Sequence, residues 1–242
     1  DLPAALLIKE PHISATALIV MTCIILIFVG GVNLKQFLLI GIIGAAGALL
    51  VVSIMSRNYD YIQKRIQSWV DPFADSQGNT WQTCQSLIAI GSGGLFGLGL
   101  GESRQKYLYL PETKNDFVFS IVCEELGLVG ALTVVLLFTL LVIRGFYIAM
   151  RAKDKFGMLM AIGLTSHIGL QAFFNIAVVS NLIPNTGISL PFFSYGGTAL
   201  ILQLAEMGIV LNISRVRYQS PQRAPAAERA PQAEVQLQGG NA

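Results

Sequence analysis

One stretch of this chain constrains its fold more than any other, because it lacks charged side chains over 50 residues. From Phe156 to Ala205 the sequence contains no Asp, Glu, Lys or Arg. A helix that crosses a bilayer needs about 20 mostly apolar residues, so this stretch is long enough for two. The segment LIPNTGISLPFFSYGG in its middle, 182–197, contains prolines and glycines, which end helices. The sequence therefore predicts two membrane spans, near 157–182 and 197–213.

Three further apolar windows are long enough for spans, near 14–33, 36–55 and 117–143. The first apolar residues, 1–9, are too few to cross roughly 30 Å of hydrocarbon. They are interpreted as the end of another span, and the chain as the C-terminal part of a longer one. The composition agrees with a membrane protein: 53% of the residues are hydrophobic, 12% are charged, about half the usual share, and the mean hydropathy is +0.61. The predicted fold is an all-α polytopic membrane protein with about five complete transmembrane helices and the end of a sixth.

A large loop, 57–116, separates the second and third complete spans. Within it, residues 86–100 form the apolar sequence SLIAIGSGGLFGLGL, which is short and contains five glycines. Each glycine costs about 1 kcal/mol relative to Ala in a helix. This segment is predicted to be re-entrant or amphipathic, with a full span as the open alternative. Residues 1–215 are assigned to the membrane domain, and 216–242, rich in Pro, Ala and Gln, to a disordered tail.

Basic residues predict the orientation of the chain. One short loop contains Arg144, Arg151, Lys153 and Lys155, and the sequence SRVR follows the last span. Two spans separate these clusters, so both lie on one side, which the positive-inside rule makes cytoplasmic. The C-terminus is then cytoplasmic and the loop 57–116 extracytoplasmic, although several cations of that loop go against the rule. A net charge of +2 without a basic run argues against a nucleic-acid partner.

Three carboxylates stand at or inside an apolar run: Asp116, Glu124 and Glu125. In one interpretation Asp116 is structural, since TKND fits a capping box with Thr113 at the N-cap and Asp116 at N3 of a helix. In the other, Asp116 is functional. Carboxylates within a membrane are costly and are functional candidates by default. On a continuous helix Glu124 lies about 80° from Asp116 and about 12 Å further along the axis, so one of the Glu pair can face the same cavity as Asp116.

Two segments carry a resemblance to a known family. The sequence QKYLYLPETKNDFVFSIVCEELG, 105–127, and the sequence LPFFSYGG, 190–197, resemble the SEDS family of FtsW, RodA and the sporulation protein SpoVE. TGISLPFFSYGG is closer to the division and sporulation branch than to the elongation branch. The chain departs from the family pattern at Asn115, where Thr is usual, at His12, where many members have Asp, and at Glu206, an additional carboxylate in the last span. The family has ten spans, which implies that this chain contains the sixth to the tenth and the end of the fifth.

The resemblance also implies a function. Family members polymerise the glycan strands of peptidoglycan from lipid II, an undecaprenyl-pyrophosphate disaccharide-peptide, in the bacterial plasma membrane. The resemblance implies that Asp116 is the general base, which takes the proton of the attacking sugar hydroxyl. A divalent cation, magnesium or manganese, is a candidate cofactor. The substrate-binding residues that it implies are Arg65, Lys106, Lys114, Glu124 and Ser194.

The implied partners are lipid II, membrane lipid and a class B penicillin-binding protein, which is a transpeptidase. The chain 1–242 by itself is expected to be inactive, because spans that precede it in the family help to form the lipid site. Two alternative functions stay open. A flippase that moves lipid II without chemistry would also use a carboxylate along its path. A scaffold that docks a transpeptidase would carry the carboxylates as structural groups.

Overall fold

The computed structural model describes residues 13–33, 41, 66, 68–74, 80–105 and 115–216. The helices in these ranges are α1 (Ile13–Val29), α2 (Trp81–Ser92), α3 (Val118–Met150), α4 (Lys155–Val179) and α5 (Gly197–Val216). No strand occurs in the described part of the chain, which confirms the all-α prediction there. Apart from positions 41 and 216, the predicted spans 1–9 and 36–55 and the predicted tail 216–242 lie outside the described residues.

Three of the described helices, α3, α4 and α5, are long and apolar enough to cross a membrane. α3 has 33 residues. Its part after Gly127, residues 128–150, extends for about 35 Å at about 1.5 Å per residue, enough to cross roughly 30 Å of hydrocarbon. α1 is a shorter apolar helix of 17 residues. It ends at Val29, before the predicted end of that span at position 33, because Gly30 and Gly31 follow and Gly31 adopts a positive φ of 82°.

α4 occupies the centre of the described structure and packs against all four other helices. α3 approaches it at Gly145, where a Cβ would overlap the side chain of Thr165. Small residues at such positions allow helices in a membrane to pack closely. At its start α4 is capped by Asp154, whose Oδ2 accepts a hydrogen bond from the Gly157 N–H at 2.9 Å.

One face of α3 is apolar and exposed. Leu128, Leu132, Leu136 and Leu140 recur every four residues, so they lie on one side of the helix, and each is between 49% and 58% exposed. α5 likewise exposes several large apolar side chains, Leu202 among them. A contiguous apolar face of this length is unfavourable in water and typical of a surface that contacts lipid. The described helices are therefore those of a membrane protein.

The larger apolar core lies between α3 and α4 and beneath the joining segment, 180–196, which connects α4 to α5. Phe119 of α3, Ile168 of α4 and Leu190 of the joining segment belong to one buried cluster. Phe138 of α3 stacks on Phe192 with ring centroids 6.5 Å apart. This packing fixes the joining segment against α3, and its contacts with the turn before α3 form the candidate site.

Candidate functional site

Gly127 interrupts α3 close to its start. Its φ of 67° and ψ of −164° belong to a region that is almost restricted to glycine. The glycine-rich segment after α2, 93–101, runs across this interruption in direct backbone contact. A Cβ on Gly127 would overlap the backbone N of Gly97, and a Cβ on Gly97 would overlap the Glu125 carbonyl. Glycine at both positions is therefore what allows the two backbones to meet.

Hydrogen bonds between the two backbones compensate for the broken helix. A continuous helix would bond the N–H groups of residues 128 and 129 to the carbonyls four residues earlier. The structure replaces those bonds with four others of 2.9–3.2 Å, from Leu128 N to Gly94 O, from Val129 N to Leu95 O, from Leu98 N to Glu124 O and from Gly99 N to Glu125 O. Irregular backbone is tolerated in a membrane protein when protein covers it and its polar groups are paired. The segment predicted to be re-entrant or amphipathic thus starts as α2 and continues as irregular backbone bonded to α3.

The Glu124 side chain binds the continuation of the same segment. Ser103 Oγ donates to Glu124 Oε2, and the Arg104 backbone N–H donates to Oε1 at 3.1 Å. The Glu124 side chain is 1% exposed. A buried carboxylate with both oxygens hydrogen-bonded is a structural link between two segments. Contact of Glu124 with substrate stays a prediction.

Asp116 lies in a turn, 115–117, immediately before α3. The helix begins at Val118 with Phe117 at the N-cap position. The capping-box interpretation, which placed Asp116 at N3 of a helix capped by Thr113, is therefore wrong. The expectation that Asp116 and Glu124 share one continuous helix is wrong as well, because Asp116 precedes the helix.

Two other parts of the chain fix this turn through its carbonyls. From α4, the buried Asn175 donates through Nδ2 to the Asp116 carbonyl at 2.6 Å and to the Ile188 carbonyl at 2.7 Å. From the joining segment, Ser194 Oγ donates to the Asn115 carbonyl at 2.7 Å. A helix that started before Asp116 would use these carbonyls for its own bonds. The tertiary bonds therefore explain why the capping signal in the sequence does not determine the helix start.

The Asp116 side chain is half-buried and lies beside Gly187. A Cβ at Gly187 would come within 3.6 Å of Asp116 Oδ2, and Gly187 itself has a positive φ of 70°. Asn185 stabilises this turn, since its Oδ1 accepts a hydrogen bond from the Gly187 N–H at 3.1 Å. The carboxylate is thus placed against a loop with a defined conformation.

The structure brings together two of the predicted site residues. Asp116 and Ser194 lie on adjacent turns and are connected through the Asn115 carbonyl. Glu124 belongs to the interrupted part of α3 instead. The other three predicted residues lie outside the described part of the chain: Arg65, Lys106 and Lys114.

The described residues do not form a metal site by themselves. Within the described ranges no three His, Cys, Asp or Glu side chains lie together in a way that could hold a metal ion. At the turn these ranges supply the Asp116 carboxylate, while the carbonyls of Asn115 and Asp116 already accept hydrogen bonds. Magnesium in proteins is often held by one or two carboxylates together with substrate phosphates. A cation here would therefore depend on ligands beyond the described residues.

Sequence reasoning did not identify Asn175 or Gly187 as site residues, and it took Gly187 only as a residue that ends a helix. Asn175 is 0% exposed in an apolar helix. Burying an amide without hydrogen bonds costs roughly 1–3 kcal/mol, so an amide in an apolar span is itself a signal of a specific partner. Gly187 carries the weaker signal of the sequence NTG, which is typical of a turn.

A second polar pair connects α4 to α5. His167 Nδ1 and Glu206 Oε2 are 3.5 Å apart, and their side chains are 35% and 23% exposed. Glu206 is the additional carboxylate by which the sequence departs from the family pattern. His167 supplies it with a partner, which reduces the cost of a carboxylate in this helix.

These features define a class of protein: a polytopic α-helical membrane protein in which a turn bearing a carboxylate is fixed beside a glycine-containing loop. The sequence model of FtsW, RodA and SpoVE, described as "Cell cycle protein", matches residues 2–219. The chain belongs to this family, as its motifs predicted.

Two relatives show where in the family the similarity is high. Stage V sporulation protein E of Bacillus subtilis (strain 168) is 47% identical over 206 residues, which are 85% of this chain and 55% of the relative. The probable peptidoglycan glycosyltransferase FtsW of the same organism is 44% identical over 214 residues, 86% of this chain and 53% of the relative. The chain thus spans about half the length of these curated relatives. Their names agree with the branch that TGISLPFFSYGG predicted.

Two solved structures are similar as well. One is described as structural coordination of polymerization and crosslinking by a peptidoglycan synthase complex. Its matched chain has a TM-score of 0.68 and 29% identity, with 90% of this chain and 60% of that chain covered. The other is the rod shape determining protein RodA of Thermus thermophilus, with a TM-score of 0.56, 28% identity, and 90% and 54% coverage.

Proposed function

We propose that this chain forms the catalytic part of a peptidoglycan glycosyltransferase, which polymerises lipid II into glycan strands during cell division or sporulation. Family membership and the names of the relatives support this activity. One observation of the site carries the proposal: Asn175 and Ser194 fix the turn that bears the half-buried Asp116. A carboxylate held in one place is what general base catalysis requires.

In the proposed reaction Asp116 is the general base. The oxygen of the acceptor's sugar hydroxyl attacks the anomeric carbon of the donor, and the bond from that carbon to the pyrophosphate oxygen breaks. The hydroxyl proton passes to the Asp116 carboxylate as the glycosidic bond forms, and the lipid pyrophosphate leaves. Cations stabilise the charge on the leaving group. For substrate contacts we propose the set that the motifs predicted, namely Arg65, Lys106, Lys114, Glu124 and Ser194, and a magnesium or manganese ion stays part of the proposal.

We also propose that the Asp116 turn lies on the extracytoplasmic side of the plasma membrane and the C-terminus in the cytoplasm. Arg144 and Arg151 stand at the far end of α3 from Asp116, and Arg215 stands at the end of α5. Because short cytoplasmic loops carry an excess of Lys and Arg, these residues support a cytoplasmic location for that end.

A class B penicillin-binding protein, a transpeptidase, is the proposed partner. The support is the similar structure described as a complex that coordinates polymerization and crosslinking. A polymerase and a transpeptidase act on the same glycan strand in sequence, so their association would deliver each new strand to the crosslinking step.

Asp116→Asn is the test of the proposed base. Asn keeps the shape of the side chain and leaves the carbonyl bonds to Asn175 and Ser194 in place, but it cannot take a proton. We expect the complete protein with this change to be inserted at normal levels, to bind lipid II and to make no detectable polymer. Polymer is measured by gel separation of the glycan strands made from labelled lipid II.

Asp154→Asn is the matched control. Asp154 caps α4, and Asn is an equally good N-cap, so this variant should retain polymerisation. Near-normal polymer synthesis by the Asp116→Asn variant would refute the role of Asp116 as base. If the parent made no polymer but moved lipid II across vesicles, and Asp116→Asn abolished that transport, the flippase function would be favoured. If the parent did neither and only recruited the transpeptidase, the scaffold function would be favoured.

A further inference from the structure

At the end of α3 that lies far from Asp116, three arginines surround a cavity of about 220 Å³. Arg144 comes from α3, Arg151 directly follows the last residue of α3, and Arg215 comes from the last turn of α5; Tyr147 lies between the first two. We call this group, Arg144, Tyr147, Arg151 and Arg215, the arginine pocket. A single water needs only about 10–15 Å³ of such space, so the cavity is large enough for a polyatomic ligand. Within the described ranges no carboxylate lines it.

The arrangement inside the pocket concentrates positive charge. Residues three and four apart on a helix are neighbours, which places Tyr147 beside Arg144 and beside Arg151 at the C-cap of α3. The Arg151 guanidinium lies 4.0 Å from the centre of the Tyr147 ring, and the Arg144 guanidinium lies 5.1 Å from it. The ring attracts both cations but does not neutralise them. Two guanidinium groups on one ring, with a third from α5, therefore form a site that favours an anion.

The general excess of basic residues on the cytoplasmic side does not explain this geometry. That excess accounts for cations near the membrane surface, such as Lys153 and Lys155, which do not line the cavity. It does not account for the convergence of arginines from two different helices on one cavity. A guanidinium presents a planar fork of N–H donors that matches the oxygens of a phosphate group. The pocket also stands at the ends of two membrane helices, the level at which lipid headgroups lie.

We propose that the arginine pocket binds a phosphate ester anion, supplied by the headgroup of an anionic phospholipid such as phosphatidylglycerol or cardiolipin. The polar tail is a poor alternative source of negative charge, because residues 217–242 contain three arginines and two glutamates. The inference does not depend on the proposed catalytic function, since the pocket lies at the opposite end of α3 from Asp116.

The test uses the full chain in mild detergent and native mass spectrometry. Phosphatidylglycerol, cardiolipin or the zwitterionic phosphatidylcholine is added in turn to the parent protein and to the triple variant Arg144→Gln, Arg151→Gln, Arg215→Gln. We expect the parent to retain the two anionic lipids but not phosphatidylcholine. Removing three cations near an anionic headgroup should weaken that binding by roughly 10- to 100-fold. The matched control is Lys153→Gln with Lys155→Gln, which removes two charges at the same end but none from the pocket, and it should retain binding.

Equal lipid retention by the parent and the triple variant would overturn the proposal. A loss of lipid in the Lys control as large as that in the triple variant would also overturn it, because it would indicate that surface charge alone binds the lipid. A second arm adds inorganic phosphate and glycerol phosphate at millimolar concentration. If these soluble anions displace the lipid equally from the parent and from the Lys control, both of which keep the pocket, the pocket recognises the phosphate group, as proposed. If soluble phosphate is bound and lipid is not, the lipid source is refuted. Where the triple variant does not fold, the single change Arg215→Gln gives the same comparison, because Arg215 stands in the last turn of α5.

Discussion

The Asp116 turn is held in place through the backbone carbonyl of Asp116, which accepts a hydrogen bond from Asn175. Asn175 binds the carbonyls of Asp116 and Ile188 together, so the turn before α3 and the joining segment share one anchor. The sequence predicted Asp116 and Ser194 because both stand in long motifs. It did not predict Asn175, because a single amide in an apolar helix belongs to no motif and its partners are distant in sequence. Which carbonyls it reaches depends on how α4 packs against α3, and that is a property of the fold.

The change Asn175→Ala tests this anchor. It removes two hydrogen bonds and leaves two carbonyls in a buried environment without their donor, which should cost about 2 kcal/mol or more. We expect a lower unfolding temperature in detergent, and a lower turnover of lipid II per folded molecule with little change in lipid II binding. Ser180→Ala is the control, because among the described residues Ser180 Oγ donates to carbonyls of its own helix end, those of Ile176 and Ala177. An Asn175→Ala protein as stable and active as the Ser180→Ala protein would show that the anchor has no such role.

Among the elements, α3 and the segment after α2 depend on each other. Neither has a complete set of backbone hydrogen bonds near Gly127 without the other. The five glycines between positions 86 and 100 predicted a re-entrant or amphipathic segment, because glycine is unfavourable in a helix, and the backbone is irregular from Gly93 onward. Their partner could not be predicted, since EELGLVG has the composition of a continuous membrane helix. A single glycine within it gives no local sign of a positive φ.

Alanine substitutions at Gly127 and at Gly91 test whether the two backbones depend on each other. Gly127→Ala combines a backbone conformation that is almost restricted to glycine with an overlap against Gly97, and we expect it to cost about 3 kcal/mol or more. Gly91→Ala lies in α2, where the added Cβ has no described neighbour within 4 Å apart from the adjoining backbone, and it should be neutral or stabilising by about 1 kcal/mol. Thermal unfolding in detergent and the yield of inserted protein measure both. Similar stability for the two variants would contradict the paired-backbone description.

The ends of the predicted spans differ from the helix ends for physical reasons. The apolar window that began at Phe117 was predicted to end near position 143, since Arg144 follows, yet α3 continues to Met150. A long basic side chain can place its charge at the membrane surface while its stem stays on an apolar helix, so a charge does not have to end the helix. Hydropathy therefore predicts that a span exists, while caps, glycines and snorkelling side chains decide where its helix ends.

At the scale of the whole molecule, two groups of polar features among the described residues lie at opposite ends of the helices. The Asp116 turn and the joining segment lie at one end of α3 and α4. Trp69 belongs to the same end, because Trp69 Nε1 donates to the Asn181 carbonyl at 3.1 Å and Asn181 Nδ2 donates to the Trp69 carbonyl at 3.1 Å. The arginine pocket lies at the other end. This separation is what a protein needs if it works on one side of a membrane and is held by anionic headgroups on the other.

Cysteine labelling tests that arrangement directly. Val70 neighbours Trp69 and is 72% exposed, so in cells Val70→Cys should react with a membrane-impermeant maleimide added from outside. Lys153→Cys, in the short loop between α3 and α4, should react only after the membrane is permeabilised. The background protein needs Cys23 replaced by Ser, because Cys23 is exposed, whereas Cys84 and Cys123 are buried. One crossing by α3 or α4 is sufficient to place the two positions on opposite sides, since each helix is long enough to span the hydrocarbon. Labelling of both positions from outside, or of neither, would contradict the arrangement, and labelling of Lys153→Cys alone would reverse the proposed orientation.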